Sequence, residues 1–283
     1  MRVSFRKFTW FLLCVFLMGN AHVCYADNLT LAEAFFTAPE SVSGVIDVPG
    51  KGPMRYYAQN DALWGALVYE QRDTGSSRPF RDSGCGPTAM AMAVAALIPE
   101  NELRRISDYA DTPYALCECS VNNARCNHRH GRYLLTSDRD FTRFLPLILG
   151  DFATGNNTFG IYSRGAAAGT SSSFIKFVAA AYGLDYQSVG DYNEAIAALR
   201  SGAAVVATVS RGGAFTDTGH YVLLAHIDDE RLYIFDPLCR TVYKTNGGSK
   251  LEIIQPGLVA LTHENVKAAR FNNFHIFTVA NAE

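Results

Sequence analysis

Three residues able to attack a carbonyl or move a proton sit in settings unlike those of other residues of their type: Cys85, His220 and Asp236. Cys85 lies in Arg81-Asp82-Ser83-Gly84-Cys85-Gly86-Pro87-Thr88, immediately before the almost wholly apolar residues 89–98. Pro87 suits the first turn of a helix, where its missing N–H costs nothing, and the flanking glycines allow a tight turn and close approach. This pattern predicts a thiol at a helix N-terminus, where unpaired N–H groups and the positive dipole end favour the thiolate, the nucleophilic form. A purely structural cysteine would need neither the glycines nor the helix start. A thiolate nucleophile also needs a base to take and return a proton, and the base needs a third group to hold its tautomer. Gly219-His220-Tyr221 opens an apolar strand 135 residues beyond Cys85, and Asp236-Pro237 closes the next strand 16 residues later. A hairpin joining those strands brings His220 and Asp236 to one end. Asp217 lies closer in sequence but ranks second, because three residues along one chain rarely aim a carboxylate at the rear nitrogen of the ring. His226, His263 and His275 read as ordinary satisfied histidines.

The elements that must position these groups can be traced in order. Residues 55–58 resemble a short strand running into a loop, and the helix carrying Cys85 follows, buried on nearly every face. Residues 101–168 are polar, cysteine-bearing and irregular, with a helix expected near 141–149, and read as an insertion. Patterning returns at Gly169-Thr170, where Thr170 or one of Ser171, Ser172 and Ser173 can cap a helix bearing Phe174, Phe177, Val178 and Ala181 at helical spacing, with Gly183 ending it. A second helix is expected over 191–200, stopping at Ser201-Gly202. Strand signals cover 203–209, 221–227 and 232–235, the last two joined by the tight turn Asp228-Asp229-Glu230. Helices first and adjacent strands afterwards predict an α+β fold with a largely antiparallel sheet.

The chain ends bear on compartment and partners. Arg2, Arg6 and Lys7 precede an 11-residue apolar run at 8–18, and Cys24-Tyr25-Ala26 offers a small residue for cleavage, so 1–26 reads as an export signal. The run is short of the roughly 18–20 residues that span a bilayer, which argues against an uncleaved anchor. A lipoprotein reading on Cys24 lacks the small residues usually ahead of it. Cleavage leaves 257 of 283 residues, and losing three basic and no acidic side chains moves the net charge from −2 to −5. A mildly acidic chain without a basic stripe is a poor nucleic-acid binder. Residues 27–52 read as a leader strapped onto the surface, with the domain covering 53–283. Oligomeric state is not legible.

The order Gln59-x-Asp61-x-x-Trp64, then Gly84-Cys85-Gly86-Pro87-Thr88-Ala89, then Gly219-His220-Tyr221 and Phe235-Asp236-Pro237 resembles the C39-like cysteine peptidases of the papain-like superfamily. The resemblance covers roughly 54–279, and 101–168 fits it poorly. It implies a papain-like fold, with the nucleophile at the N-terminus of a central helix packed on an antiparallel sheet. By position it makes Cys85 nucleophile, His220 general base and then acid, Asp236 the orienting carboxylate and Gln59 the oxyanion donor. The implied activity is that of an exported peptidase that hydrolyses peptide amide bonds through an acyl-enzyme, acts on a peptide or protein substrate, and requires no metal or organic cofactor. Two rival readings use the same residues. One is a hydrolase or transpeptidase of cell-wall peptides; the other is a peptide-binding module, whose mark would be a missing triad member. None is missing.

Five cysteines follow the signal. In an oxidising compartment Cys117, Cys119, Cys126 and Cys239 can pair in any of three ways, leaving Cys85 as the free thiol. Cys117, Cys119, Cys126, His128 and His130 also have the residue types of a zinc site, but one residue separates the first two where zinc usually prefers about two to four. Disulfides fit better.

Overall fold

The computed structural model describes residues 41–62, 64–65, 68–71, 77–103, 142–143, 145–146, 148–150, 153, 170 and 172–280. The export signal, most of the leader, and Cys117, Cys119, Cys126, His128 and His130 lie outside them.

Eleven strands and four α-helices among the described residues position the site. Strand β1 (Gly44–Val48) pairs with β2 (Gly52–Tyr56), and β3 (Val68–Gln71) pairs with β4 (Ser77–Pro79). The short helix α1 (Phe80–Ser83) leads through Gly84 into α2 (Cys85–Leu97). Then come α3 (Ser172–Ala181), β5 (Leu184–Val189), α4 (Tyr192–Arg200) and β6 (Ala204–Val209). The hairpin of β7 (His220–Ile227) and β8 (Arg231–Phe235) follows, then β9 (Glu252–Gln255), β10 (Leu258–Thr262) and β11 (Phe271–Val279). Seven strands form one sheet in the order β5-β11-β6-β7-β8-β10-β9, with every neighbouring pair antiparallel. The architecture is α+β, as the sequence predicts.

The inner strands read as apolar runs because both faces of the sheet are covered. Ala204, Val206, Leu223, Tyr233, Phe235 and Phe277 join the core beneath α2 and α3, while Val205, Ala207, Val222, Leu224, Ile234 and Ile276 join the core under α4. Alternation of successive side chains across the sheet gives each strand to both layers. Residues 85–94 of α2 are all buried, and the helix lies against β6 and β7. Helix α4 shows its cap plainly: the Asp191 carboxylate accepts from the Glu194 N–H at 2.9 Å. Gly183, at φ 63°, ends α3. Described residues between 142 and 150 are helical, where a helix was expected.

Four strands of the sheet, β5, β9, β10 and β11, were not among the strand signals. Outer strand β5 is half exposed and polar (LDYQSV), β9 and β10 are four and five residues long, and β11 carries two asparagines and a histidine. None gives a clean period of two. The leader also differs from a surface strap at its end. Residues 44–48 form β1, and Val48 is fully packed in the core beneath α2. No helix among the described residues is long and apolar enough to cross a membrane.

Candidate active site

Cys85 is the first residue of α2, so its N–H has no partner within the helix and its thiol stands at the positive end of the dipole. Two glycines make that position possible by steric necessity. A Cβ on Gly84 would come 2.5 Å from the Phe80 ring, and a Cβ on Gly86 would overlap the Thr170 side chain. The chain therefore turns out of α1 and into α2 at the closest packing that this junction allows.

His220 is the first residue of β7, and Asp236 directly follows the last residue of β8. The turn at Asp228, whose N–H bonds to the Arg231 carbonyl at 3.0 Å, returns β8 antiparallel to β7. The start of one strand and the end of the other then lie side by side at one end of the sheet. There, His220 Nε2 meets Asp236 Oδ1 at 2.7 Å, and the side chains of His220 and Cys85 are hydrogen-bonded. Since Nε2 is taken by the carboxylate, Nδ1 is the nitrogen left for the sulfur. Asp217 is exposed and the ring's carboxylate partner is Asp236. His226 stacks on Tyr233, His263 Nε2 meets the Asp228 carbonyl at 3.0 Å, and His275 Nδ1 meets the Tyr186 hydroxyl at 3.0 Å.

The three groups perturb one another. Burial pushes the Cys85 thiol up, but the hydrogen bond and charge of His220, with the backbone of Tyr221 and Gly86, outweigh burial and hold it below its usual value. Burial pulls His220 down, yet the charge and hydrogen bond of Asp236, reinforced by Cys85, raise it to about 9. Burial likewise works against ionised Asp236, and His220, Arg240 and Tyr243 overcome it to keep the carboxyl below its ordinary range. The arrangement favours thiolate beside imidazolium. Asp236 is completely buried, whereas Cys85 and His220 retain 8 % and 6 % exposure.

Gln59 is buried in the loop after β2. Its Nε2 donates to the Arg81 carbonyl at 2.6 Å, four residues before Cys85, and its own N–H donates to the Pro237 carbonyl at 2.7 Å, next to Asp236. One Nε2 hydrogen remains for another acceptor, and Oε1 is buried without a hydrogen-bond partner. The loop is tied from the other side by the leader's end. Asp61 Oδ2 accepts from Ser41 Oγ at 2.7 Å and from Ser43 Oγ and N–H at 2.7 and 3.0 Å. Thus all four residues singled out in the sequence converge on one end of the sheet and helix. Two residues that were not singled out, Arg240 and Tyr243, also reach it, each donating to Asp236 Oδ2 at 2.7 Å. Their signal in the sequence is faint: a cation four residues, and a phenol seven residues, beyond the carboxylate.

Cys239 is free and half-buried beside Tyr56, where a disulfide had been expected. Its three expected partners lie outside the described residues. Among the described residues, no three His, Cys, Asp or Glu side chains gather to hold a metal ion.

Fold and site together define an α+β protein that presents a helix-start cysteine to a strand-borne histidine and aspartate. The profile of the Peptidase C39-like family matches residues 54–252, more than half of the chain, and the chain belongs to that family. Among curated proteins, none matches the chain.

Proposed function

We propose that this chain is an exported cysteine peptidase of papain-like build, cutting peptide amide bonds with Cys85, His220 and Asp236. The observation that carries the reading is the buried line of contacts from the Cys85 sulfur through His220 to Asp236. Its placement, with a nucleophile-bearing helix laid on an antiparallel sheet, and the family assignment support it further. The Cys85 thiolate attacks the scissile carbonyl carbon, and the tetrahedral oxyanion takes hydrogen bonds from the Cys85 N–H and the free Nε2 hydrogen of Gln59. The imidazolium of His220 gives its proton to the departing amine as the C–N bond breaks, leaving a thioester. Water then attacks the thioester and His220 accepts its proton; as the C–S bond breaks the carboxylic acid product leaves, the sulfur departs as thiolate, and the thiolate–imidazolium pair is restored. Asp236 holds the ring so that Nδ1 faces the sulfur throughout. The substrate of this reading is a peptide or protein met outside the cytoplasm, supported by the basic-then-apolar pattern of residues 1–26.

The test is a peptide-library cleavage profile of the mature protein with Cys85→Ala as the blank. Cleavage by the parent and none by the variant is the expected result; equal cleavage patterns, or none from either across the library, would count against peptidase action.

A further inference from the structure

We propose that Arg240 and Tyr243 are positioning residues of the catalytic centre: they clamp the second oxygen of Asp236 and Arg240 completes the charge balance of the buried site. The inference rests on the proposed peptidase reading and adds to it two residues that never contact substrate.

The geometry divides the carboxylate cleanly. Oδ1 accepts from His220 Nε2 at 2.7 Å and the Leu238 N–H at 2.9 Å. Oδ2 accepts from Arg240 Nη2 at 2.7 Å and Nε at 3.1 Å, and from the Tyr243 hydroxyl at 2.7 Å. Five donors on a carboxylate with no solvent exposure fix its rotation, and so fix the plane in which the His220 ring is held. The clamp is braced against itself, because the Arg240 guanidinium lies over the Tyr243 ring, 4.6 Å from its centroid. Tyr56 adds a hydrogen bond from its hydroxyl to the Asp236 carbonyl at 2.8 Å. The titratable groups facing Asp236 are therefore His220 from β7, Tyr56 from β2, and Cys239, Arg240 and Tyr243 from the segment after β8.

Charge gives the second half of the argument. Thiolate, imidazolium and carboxylate together carry one net negative charge in a buried site, and an unbalanced buried charge is strongly disfavoured. The Arg240 guanidinium, ion-paired to Asp236 and itself mostly buried, returns the sum to zero. Without it, the cheapest response is to protonate the sulfur. Lost charge and lost orientation then act in the same direction, against the thiolate.

The experiment follows iodoacetamide alkylation of Cys85 across pH, read on the Cys85 peptide by mass spectrometry, in the full mature protein and in Arg240→Gln, Arg240→Lys, Tyr243→Phe and His220→Ala. Arg240→Gln should move the acid limb of the profile to higher pH and slow alkylation at slightly acid pH by about tenfold, the change that one unit of thiol ionisation corresponds to. Arg240→Lys keeps the charge and should recover most of that rate. Tyr243→Phe, which removes one hydroxyl and keeps the ring, should shift the limb the same way by less. A merely structural role would lower melting temperature without moving the limb. If Arg240→Gln does not fold, Arg240→Lys and Tyr243→Phe decide: profiles superimposable on the parent in both overturn the proposal. If the parent alkylates quickly and His220→Ala slowly while every clamp variant matches the parent, the clamp fails and the peptidase reading stands. If the parent is no faster than His220→Ala, both fail together.

Discussion

Cys85 and His220 meet from opposite kinds of support. On the helix side, position is enforced by shape: glycines at 84 and 86 pressed against Phe80 and Thr170, and a helix buried from its first residue to Val94. No side chain caps that helix start. On the strand side, position is enforced by hydrogen bonds and charge, with the imidazole tied to a carboxylate that five donors hold. The difference teaches how the helix start under a reactive sulfur can be left uncapped while the sulfur's partner is locked. A cap on the helix start would compete for the same N–H groups that favour the thiolate, so the helix side is held by close packing instead.

The two kinds of support should fail differently. Asp236→Asn, on the strand side, removes the charge that raises His220 and leaves Arg240 without its ionic partner. It should reduce peptide cleavage by about 100-fold or more, the scale on which loss of an orienting carboxylate acts. It should also change the shape of the pH–alkylation profile. Gly86→Ala, on the helix side, inserts a methyl group into the Thr170 side chain and should cost about 1–3 kcal/mol of stability, as overpacking does. Urea melts should show that loss at every pH. A Gly86→Ala protein as stable as the parent would mean that close packing is not what holds the helix start.

Two histidines sharpen the contrast through pH. His220 is raised to about 9 when folded, so its contribution to stability is fully present below its unfolded value and is lost as pH rises through about 9. His275 is lowered to about 4 by burial. The unfolded chain binds its proton first, so the contribution of His275 is present above about pH 6.5 and is lost as pH falls toward about 4. Thermal melts at pH 7 and 5 should differ less in His275→Phe than in the parent, by about 1–2 kcal/mol. An unchanged difference would contradict a neutral buried ring.

The smallest effect expected lies where the leader's end meets the oxyanion loop. Ser43→Ala removes the hydroxyl that accepts from the Ala58 N–H at 3.0 Å and donates to buried Asp61. The loss should be about 1 kcal/mol, with Gln59 less firmly held. No change in the urea midpoint would detach residues 41–43 from the site.

How much of this was legible follows from the same contrast. Cys85 could be read because glycine, proline and a long apolar run mark a helix start, and His220 and Asp236 because a hairpin's turn dictates which strand ends meet. Gln59 has no such local mark, and its place rested on resemblance. Arg240 and Tyr243 lie in an irregular stretch between β8 and β9, where no period reveals which way a side chain points. Strands β5 and β11 were missed because a polar outer strand and its Asn-rich neighbour lack the alternation that betrays a half-buried strand. The pairing β5-β11-β6 joins segments far apart in sequence, and only the folded sheet supplies that information.

The central claim is that the sulfur of residue 85 is ionised because the ring of residue 220 is charged beside it. Its most direct test is the ultraviolet thiolate band of the mature protein, recorded against Cys85→Ala at about pH 6, well below the usual thiol value of about 8.5. The account predicts a band that the Cys85→Ala protein lacks and that His220→Ala strongly diminishes. A band that emerges only near the ordinary thiol range, at the same pH with or without His220, would contradict it.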